Sequence, residues 1–348
     1  MKKSILNMAL TSTMFVFLAN STFAGTTPFP STQLNPNDMA KIGNQMDNAF
    51  KDLDKLGDID FDKVQKAPAK NAQKPIGNKS TIVTDMMIAA GDGYTLGLKT
   101  DGTVLSTGMN LSGADQVSDW TNITMIACGL NHSVGLKSNG TVVATGSVGS
   151  GECDVASWKD IKMIAAGLDY TIGLKKDGTV VATGSNEHGK SEVKAWKNIV
   201  AVSAGSHFTA GLKSDGTVLA IGKDCSGVLN VSAWRDITTI STSFDNILGL
   251  KKDGTVVNTM RSNTSEFKGV ISIVASAGYV AGLKKDGTVV TNSETIDTSS
   301  WQNIIAISAG TSQLVGLKSD GTVVATAAND VWSLGRPNVK GWQLKVKK

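Results

Sequence analysis

The chain has 348 residues, of which 18% are charged and 37 are glycine, and its formal net charge is +4. Such a balanced chain lacks the concentrated basic surface expected of a nucleic-acid-binding protein. The high glycine content and low charge fit a turn-rich β protein of one or two domains.

Residues 1–24 have the pattern of a secretory signal peptide. Lys2 and Lys3 give a positive start, residues 5–19 are mostly apolar, and small residues precede a cleavage point near Ala24. The apolar run is too short for a transmembrane helix, and no later segment is apolar enough for one. We therefore expect an exported protein, periplasmic or secreted, whose net charge falls to +2 when the two leader lysines are removed.

Residues 25–80 form a tail that contains five of the six prolines. Within it, apolar residues recur at steps of three and four at Met39, Ile42, Met46, Phe50, Leu53 and Leu56. This spacing predicts an amphipathic helix over about 38–56, followed by a flexible linker. The acidic run over 52–62 does not fit an EF-hand loop, because Leu56 and Lys63 would occupy ligand positions.

From residue 82 the chain repeats itself. A Gly-Leu-Lys triplet begins at intervals of 38, 38, 38, 38, 33 and 34 residues, at Gly97, Gly135, Gly173, Gly211, Gly249, Gly282 and Gly316. A fixed period indicates a repeat architecture, and each unit contains about four short runs typical of strands. We predict an all-β fold, a seven-bladed β-propeller of four-stranded blades over 81–348, preceded by the short N-terminal helix and linker. A closed ring hides sheet edges that an open stack would expose.

Two features of the units predict how they are built. Asp177-Gly178 indicates a type I′ hairpin with positive φ at both residues, and the second unit has the equivalent Asn139-Gly140. Because asparagine replaces aspartate at this position, the turn aspartates are expected to have a structural rather than a catalytic role. Tryptophans form a second series, at Trp120, Trp158, Trp196, Trp234 and Trp301. Trp342 opens a further half-unit, and we expect residues 339–346 to pair with strands near Ile82 and close the ring.

Motifs of known catalytic chemistry are missing from the sequence, including H-E-x-x-H, G-x-S-x-G and the phosphate-binding loop. His132 falls in a slot that other units fill with aromatic residues, so we expect it to pack rather than to bind metal. Cys128, Cys153 and Cys225 occupy different repeat positions, which favours free thiols and leaves one disulfide open. We expect no catalytic residue, no metal site and no cofactor.

The segments HSVGLKSNGTVVATG and YTIGLKKDGTVVATGSNEHG resemble repeats of the regulator-of-chromosome-condensation family. The resemblance covers about 82–348 and is strongest in the first four units. It implies a seven-bladed propeller, but it says less about function because propellers host many activities. The short units, with glycine where alanine is usual before the leucine, are similar to exported bacterial members such as the seven-bladed β-lactamase inhibitor protein of the second type. The signal peptide argues against the nucleotide-exchange role of nuclear members.

The units differ most in two sets of loops, which lie between strands one and two and after strand three. In an antiparallel blade both sets emerge opposite the Asp-Gly turns, and a varied face on a constant scaffold favours recognition. The candidate binding residues there are Asp92, Asn110, Asn131, Glu152, Asp169, Glu187, His188, His207, Asp224 and Asp245.

We expect an exported, monomeric, non-catalytic module that binds a protein or surface ligand through these loops, with no nucleic-acid partner and no membrane span. Inhibition of an envelope or extracellular enzyme is the narrower form of this function. The alternative is a hydrolase or lyase in the central funnel, since Asp92, Asp169 and Asp245 lie in nearly equivalent turns.

Overall fold

The computed structural model describes residues 87–108, 112–224, 227–260, 263–311, 313–327 and 338–346. The chain divides between residues 77 and 78, and all the described residues belong to the second unit. The predicted signal peptide, the helix at about 38–56 and the linker therefore lie outside the described residues. Within the described ranges, no helix combines the length and apolar content needed to cross a membrane.

The described residues form seven sheets, each of three antiparallel strands consecutive in the chain. The first strands are β1 (Ile88–Ala90), β4 (Ile123–Cys128), β7 (Ile161–Ala166), β10 (Ile199–Ala204), β13 (Ile237–Thr242), β16 (Val270–Ala275) and β19 (Ile304–Ala309). The middle strands are β2 (Tyr94–Leu98), β5 (His132–Lys137), β8 (Tyr170–Lys175), β11 (Phe208–Lys213), β14 (Ile247–Lys251), β17 (Val280–Lys284) and β20 (Gln313–Lys318). The third strands are β3 (Val104–Gly108), β6 (Val142–Gly146), β9 (Val180–Gly184), β12 (Val218–Gly222), β15 (Val256–Asn258), β18 (Val289–Thr291) and β21 (Val323–Ala327).

The prediction of four strands per blade is wrong, because each described sheet has three. The segment around Val193, expected as a fourth strand, consists of turns: Val193 N–H donates to the Ser191 carbonyl, and Trp196 N–H donates to the Val193 carbonyl. Val193 is nevertheless fully buried. Its apolar side chain fills the core, but bonds between residues two and three positions apart coil this short segment and prevent an extended strand.

The seven sheets form a closed ring, as the repeat count predicted. First strands of neighbouring sheets lie beside one another, and β19 of the seventh sheet contacts β1 of the first. The Ala90 N–H donates to Ser308 Oγ at 3.0 Å across 218 positions of sequence. Gln313 Nε2 donates to the Tyr94 carbonyl at 2.8 Å across the same junction. These bonds connect the two ends of the sheet series.

The C-terminal segment 338–346 completes the first blade. The Leu344 N–H donates to the Gly321 carbonyl at 2.9 Å, and the Lys345 N–H donates to the Leu98 carbonyl at 3.1 Å. In other blades the first residue of the first strand donates this kind of bond to the hairpin of the preceding blade, as Ile161 does to Gly140. Leu344 makes the equivalent bond for the first blade. The expected pairing near Ile82 falls outside the described residues, and the contacts observed are with Leu98 and with the hairpin at Gly321.

An aromatic ring covers a glycine in every middle strand. A β-carbon on Gly173 would lie 2.6 Å from the Trp158 ring, and one on Gly211 would lie 2.4 Å from the Trp196 ring. The same arrangement pairs Trp120 with Gly135, Trp234 with Gly249, Phe267 with Gly282, Trp301 with Gly316 and Trp342 with Gly97. Because the ring rests directly on the strand backbone, only glycine fits before the leucine.

The Asp-Gly hairpins differ from the predicted turn type. Gly178 has a φ of 82°, but Asp177 is not left-handed, and the Gly178 N–H donates to the Lys175 carbonyl at 3.0 Å. This is a type I turn followed by a left-handed glycine. The Asp177 carboxylate accepts bonds from the N–H and the hydroxyl of Thr179, at 2.9 and 2.7 Å. Asn139 accepts the same two bonds in the second blade, which explains the exchange of Asp for Asn.

We expect Gly173→Ala to destabilise the propeller, because the added methyl group would meet the Trp158 ring at 2.6 Å. Overpacking of a filled core costs about 1–3 kcal/mol, and the free energy of unfolding in urea should fall by that amount. Gly149→Ala is the control, since its β-carbon would meet only Ser147 Oγ, at 3.9 Å. An equal loss in both variants would contradict the role given to the ring.

Candidate functional site

The propeller has two faces of different character. The turn face consists of the seven Asp-Gly or Asn-Gly hairpins between middle and third strands. The variable-loop face consists of the loops between first and middle strands together with the segments that follow the third strands. Hydrogen bonds join these two sets: the Ser185 N–H donates to the Asp169 carbonyl at 2.8 Å, and the Lys223 N–H donates to the His207 carbonyl at 2.9 Å. The predicted common location of the variable segments is therefore correct.

The candidate residues are distributed over the blades of the variable-loop face. Those in loops between first and middle strands are Asp92, Asn131, Asp169, His207 and Asp245, and those after third strands are Glu152, Glu187, His188 and Asp224. Asn110 lies outside the described residues. Asp169 interacts electrostatically with Glu187 and His207, and the His188 ring meets the His207 ring, so these four residues come together over the third and fourth blades. Asp92 instead lines the depression on the axis.

A depression of about 200 Å³ opens on the propeller axis at this face. Loop residues of all seven blades line it, and most of them are small. Asp92 lines the depression, whereas Asp169 and Asp245 do not. The ring of carboxylates that the sequence left open is therefore not formed by these three residues. Across the described part of the chain, no three His, Cys, Asp or Glu side chains are grouped closely enough to hold a metal ion.

Aromatic side chains form a connected group on the third, fourth and fifth blades. The His188 and His207 rings meet edge to face with centroids 6.3 Å apart, and the His207 and Phe244 rings do so at 5.8 Å. His188 has a left-handed backbone with φ of 60°, and Phe244 is 55% exposed. Burial and the nearby cation of Lys190 lower the pKa of His207. His188 and Phe244 therefore present aromatic surface to solvent.

A buried lysine holds the loops beneath this group. Lys190 is 1% exposed, and its ammonium donates to the carbonyl oxygens of Leu168 at 3.0 Å and Ser206 at 3.3 Å. It also lies 4.9 Å from the centre of the Tyr170 ring. Burial lowers the pKa of Lys190, and the carboxylate of Asp169 partly offsets that effect. Because Leu168 and Ser206 belong to neighbouring blades, Lys190 fixes two recognition loops relative to each other.

The repeat position of Lys190 is occupied by a different side chain in each of the first four blades. The residues are Ala114, Glu152, Lys190 and Val228, and all four are buried. Burial of an ion is costly, whereas alanine or valine fills this position without that cost. The blade fold therefore does not require a charge at this position. Glu152 and Lys190 instead stabilise the loops above them through hydrogen bonds.

Glu152 is ionised within this buried position. Burial opposes its charge, but hydrogen bonds from its own N–H, Ser147 and Ser150 hold its pKa below the usual value. The Ser150 N–H donates to Glu152 Oε2 at 2.8 Å. Burial, and then the charge of Glu152, raise the pKa of Asp169. Asp169 therefore has a weaker preference for the charged form than an isolated surface aspartate.

His132 packs within the core between blades, as its slot predicted. It is 1% exposed, and its Nε2 lies 2.9 Å from Thr171 Oγ1. Since the Thr171 hydroxyl donates to the Glu152 carbonyl at 2.7 Å, the imidazole must supply the proton of the His132–Thr171 bond. Burial lowers the pKa of His132 to about 4, and Glu152 offsets part of this shift.

The two described cysteines are free thiols. Burial raises the pKa of Cys128 to about 12 and that of Cys153 to about 11, so neither is a reactive thiolate at neutral pH. Cys225 lies outside the described residues.

Sequence reasoning missed Phe244 and Lys190. Phe244 occupies a loop position held by Asp92, Leu130, Leu168, Ser206 and Ala277 in other blades, and an aromatic residue in that position was the available signal. Lys190 was visible as the lysine opposite Ala114 and Val228 in the repeat frame. Its burial was not predictable, because a lysine in a loop is usually exposed.

Three segments, residues 123–152, 161–190 and 199–228, match the Regulator of chromosome condensation (RCC1) repeat. Each begins at the first strand of a blade and ends in the segment after its third strand, so the second, third and fourth blades are the ones that match this repeat. No curated protein matches the chain significantly.

Two solved structures have a similar fold over most of this chain. The ectodomain of the receptor kinase CR4 from Physcomitrella patens is 18% identical, with a TM-score of 0.60 over 70% of this chain and 73% of that chain. The CRINKLY WD40 ectodomain of the Arabidopsis thaliana receptor kinase ACR4 is also 18% identical, with a TM-score of 0.58 over 70% of this chain and 98% of that chain. Yeast RCC1 (Prp20), solved bound to Kap60, is 16% identical, with a TM-score of 0.43 over 74% and 73% of the two chains.

We expect the stability of the propeller to fall in acid because of His132. Its pKa is about 4 in the folded chain and 6.5 for an ordinary histidine, so the unfolded chain binds the proton first as the pH falls. The free energy of unfolding should drop by up to about 3 kcal/mol between pH 6.5 and pH 4. His132→Phe, which copies Phe208 in the same slot, should flatten that part of the curve. An unchanged slope in this variant would contradict the assignment.

Replacing Lys190 with valine, as in the fourth blade, should raise the pKa of His207 because a nearby positive charge is removed. The measurement is an NMR titration of the three histidines in each variant. Lys176→Ser on the turn face removes a charge of the same sign far from His207 and should leave the pKa of His207 unchanged. If the pKa of His207 were the same in the wild type and in Lys190→Val, the placement of Lys190 beneath the loops would be wrong.

Proposed function

We propose, taking the RCC1 repeats of this propeller as the premise, that the protein is an exported, non-catalytic module that holds a protein partner on its variable-loop face. The observation that carries the proposal is the aromatic group in which the exposed His188 and Phe244 lie on either side of the partly buried His207. A large apolar side chain left in water on a rigid scaffold is characteristic of an interaction site.

Other exposed apolar residues occur on the same face. Val148 is 71% exposed and follows the third strand of the second blade, and Met260 is 40% exposed and follows that of the fifth blade. Together with Phe244 they span an arc from the second to the fifth blade. Isolated exposed apolar residues are common, but three on one end of a propeller provide the apolar contacts that protein interfaces bury.

Charged groups surround the aromatic group and supply a polar rim. Glu187 and Lys223 are exposed, and Asp169 is half-buried beside them. Rim charges of both signs favour a partner of complementary pattern and steer its approach more than they add affinity. Lys190 holds the underlying loops in place, so the partner meets a surface that loses little conformational entropy on binding.

Export is the part of the proposal that rests on residues 1–24. A positive start, an apolar run and small residues before the cleavage point direct a chain to the secretion machinery. The partner is therefore a periplasmic, envelope or extracellular protein.

The narrower form of the proposal is an inhibitor that covers an envelope or extracellular enzyme. It is supported by the resemblance of the short units to the exported bacterial inhibitor type and by a face that projects side chains rather than enclosing a deep cleft. A β-lactamase is the first enzyme to test. The alternative of a hydrolase or lyase in the funnel gains no support from the depression, where Asp92 is not joined by Asp169 or Asp245.

We expect the partner to be lost when three loops are given the residues of their sister loops. The variant Asp169→Gly, His207→Gly, Phe244→Ala copies Gly93, Gly278 and Ala277, so it should fold like the wild type. Loss of a central aromatic anchor and its neighbours should weaken binding by about 100-fold. The immobilised mature chain captures proteins from envelope and culture fractions, and chemical cross-links locate the contact.

The matched control is Lys176→Ser, Lys252→Ser, Lys285→Ser on the turn face, where serine is the residue of the sister turns at Ser138, Ser214 and Ser319. It should retain the partner. Capture that survives the loop changes, or cross-links confined to the turn face, would refute the proposal. Inhibition assays of the captured enzyme, or of a β-lactamase, then separate the inhibitor from a binder without inhibitory effect.

A further inference from the structure

The turn face carries an excess of positive charge. In four of the seven turns lysines outnumber acidic residues by one, and in the other three they balance. The four basic turns contain Lys137, Lys175 with Lys176, Lys251 with Lys252, and Lys284 with Lys285. In two balanced turns the lysine pairs with the aspartate at 3.1 Å, Lys99 with Asp101 and Lys213 with Asp215. The second lysine of each double-lysine turn is exposed.

A second set of basic residues lies beside these turns. The residue after the ring-covering tryptophan or phenylalanine is basic and exposed in four blades, at Lys159, Lys197, Arg235 and Lys268. Asp160 and Asp236 follow two of them and offset their charge. The exposed Glu266, two residues before Lys268, offsets that lysine as well. Lys197 therefore adds to the excess, and so does the exposed Lys162 in β7.

The variable-loop face has the opposite sign. Its exposed ionisable residues include two lysines, Lys194 and Lys223, and a larger number of acids: Asp92, Asp154, Glu187, Glu192, Asp224 and Glu294. The nearly neutral chain is therefore polarised along the propeller axis. Such a charge distribution orients the whole molecule near a charged surface before any contact forms.

Two exposed isoleucines lie beside the most basic turns. Ile271 in β16 is 47% exposed and Ile305 in β19 is 37% exposed, and each is the bulged residue of its strand. The Ile304 N–H donates to the Gly287 carbonyl, which places Ile305 next to the Lys284-Lys285 turn. A β-carbon on Gly254 would approach the Val270 carbonyl at 3.9 Å, which places Ile271 near the Lys251-Lys252 turn. Apolar and basic side chains thus occur together at one edge of this face.

We propose that the turn face binds the surface of an anionic phospholipid bilayer. Lysines near such a surface are attracted by its negative potential, and Ile271 and Ile305 enter the headgroup region as apolar anchors. The acidic variable-loop face then points away from the bilayer and is presented to the aqueous side. A soluble nucleic acid fits less well, because it offers no site for two isoleucines. The proposal does not depend on the protein partner inferred above.

The mature chain is sedimented with vesicles of phosphatidylcholine, with or without phosphatidylglycerol, at low and high salt. Wild type should bind the vesicles that contain phosphatidylglycerol and remain in solution with phosphatidylcholine alone. Lys176→Ser, Lys252→Ser, Lys285→Ser should lower the partition coefficient by about tenfold or more. Lys223→Ser on the other face should have less effect than Lys252→Ser alone, although each removes one charge.

A second variant tests the apolar contribution. Ile271→Thr, Ile305→Thr copies Thr124 and Thr238, which occupy the same bulge in other blades. It should abolish the binding that survives high salt and retain the salt-sensitive part. Because the N-terminal tail is the same in all variants, its own binding cannot produce these differences.

Equal sedimentation with both vesicle types, or full binding by the triple lysine variant, would overturn the proposal. Tighter binding to heparin or duplex DNA than to the vesicles, with no effect of the isoleucine changes, would also overturn it and assign the face to a soluble polyanion.

Discussion

The contact between an aromatic ring and the glycine of the middle strand is the interaction on which the propeller depends. In the third blade the Trp158 ring occupies the space where a side chain at Gly173 would lie. In six of the seven blades the ring precedes the first strand in the chain, so this contact ties the start of the first strand to the middle strand. A large apolar surface is buried at the same time, which supplies much of the favourable free energy of each blade. The last ring, Trp342, lies against Gly97 of the first blade, and the same interaction therefore also closes the circle.

The packing that is the same in every blade does not constrain which residues lie at the two ends of the propeller. The hairpins of the turn face are locked by a carboxylate or amide that holds a threonine, as Asp177 holds Thr179. That arrangement leaves the neighbouring positions open to lysines, and these lysines give the face its positive charge. The loops at the other end need only a buried side chain beneath them, and this position holds Ala114 in one blade and Lys190 in another. Charge, aromatic surface and loop shape can therefore vary there without loss of the fold.

Several features followed directly from sequence spacing. Seven Gly-Leu-Lys triplets gave the seven blades, and the tryptophan series gave the residues that fill the core. The aromatic slot of His132 indicated packing, and the structure buries it against Thr171. Other expectations were wrong because they depended on backbone conformation rather than on side-chain type. The apolar Val193 looked like a strand residue, but its neighbours form turns. The Asp-Gly pair suited a type I′ turn, but a hydrogen bond from Thr179 favours a type I turn with glycine alone left-handed.

The amino-acid sequence by itself determined the number of blades and the assignment of constant and variable ends. Both follow from the repeat period and from which positions keep the same residue type in every unit. Only the tertiary structure decided which loop residues meet. His188, His207 and Phe244 belong to three different units, and their rings come together because neighbouring blades are rotated about one axis. The burial of Lys190 between two loops, and the separation of Asp92 from Asp169 and Asp245, follow from the same geometry. Contacts between repeats depend on how the ring closes, and this closure cannot be predicted from the spacing of residues within a single repeat.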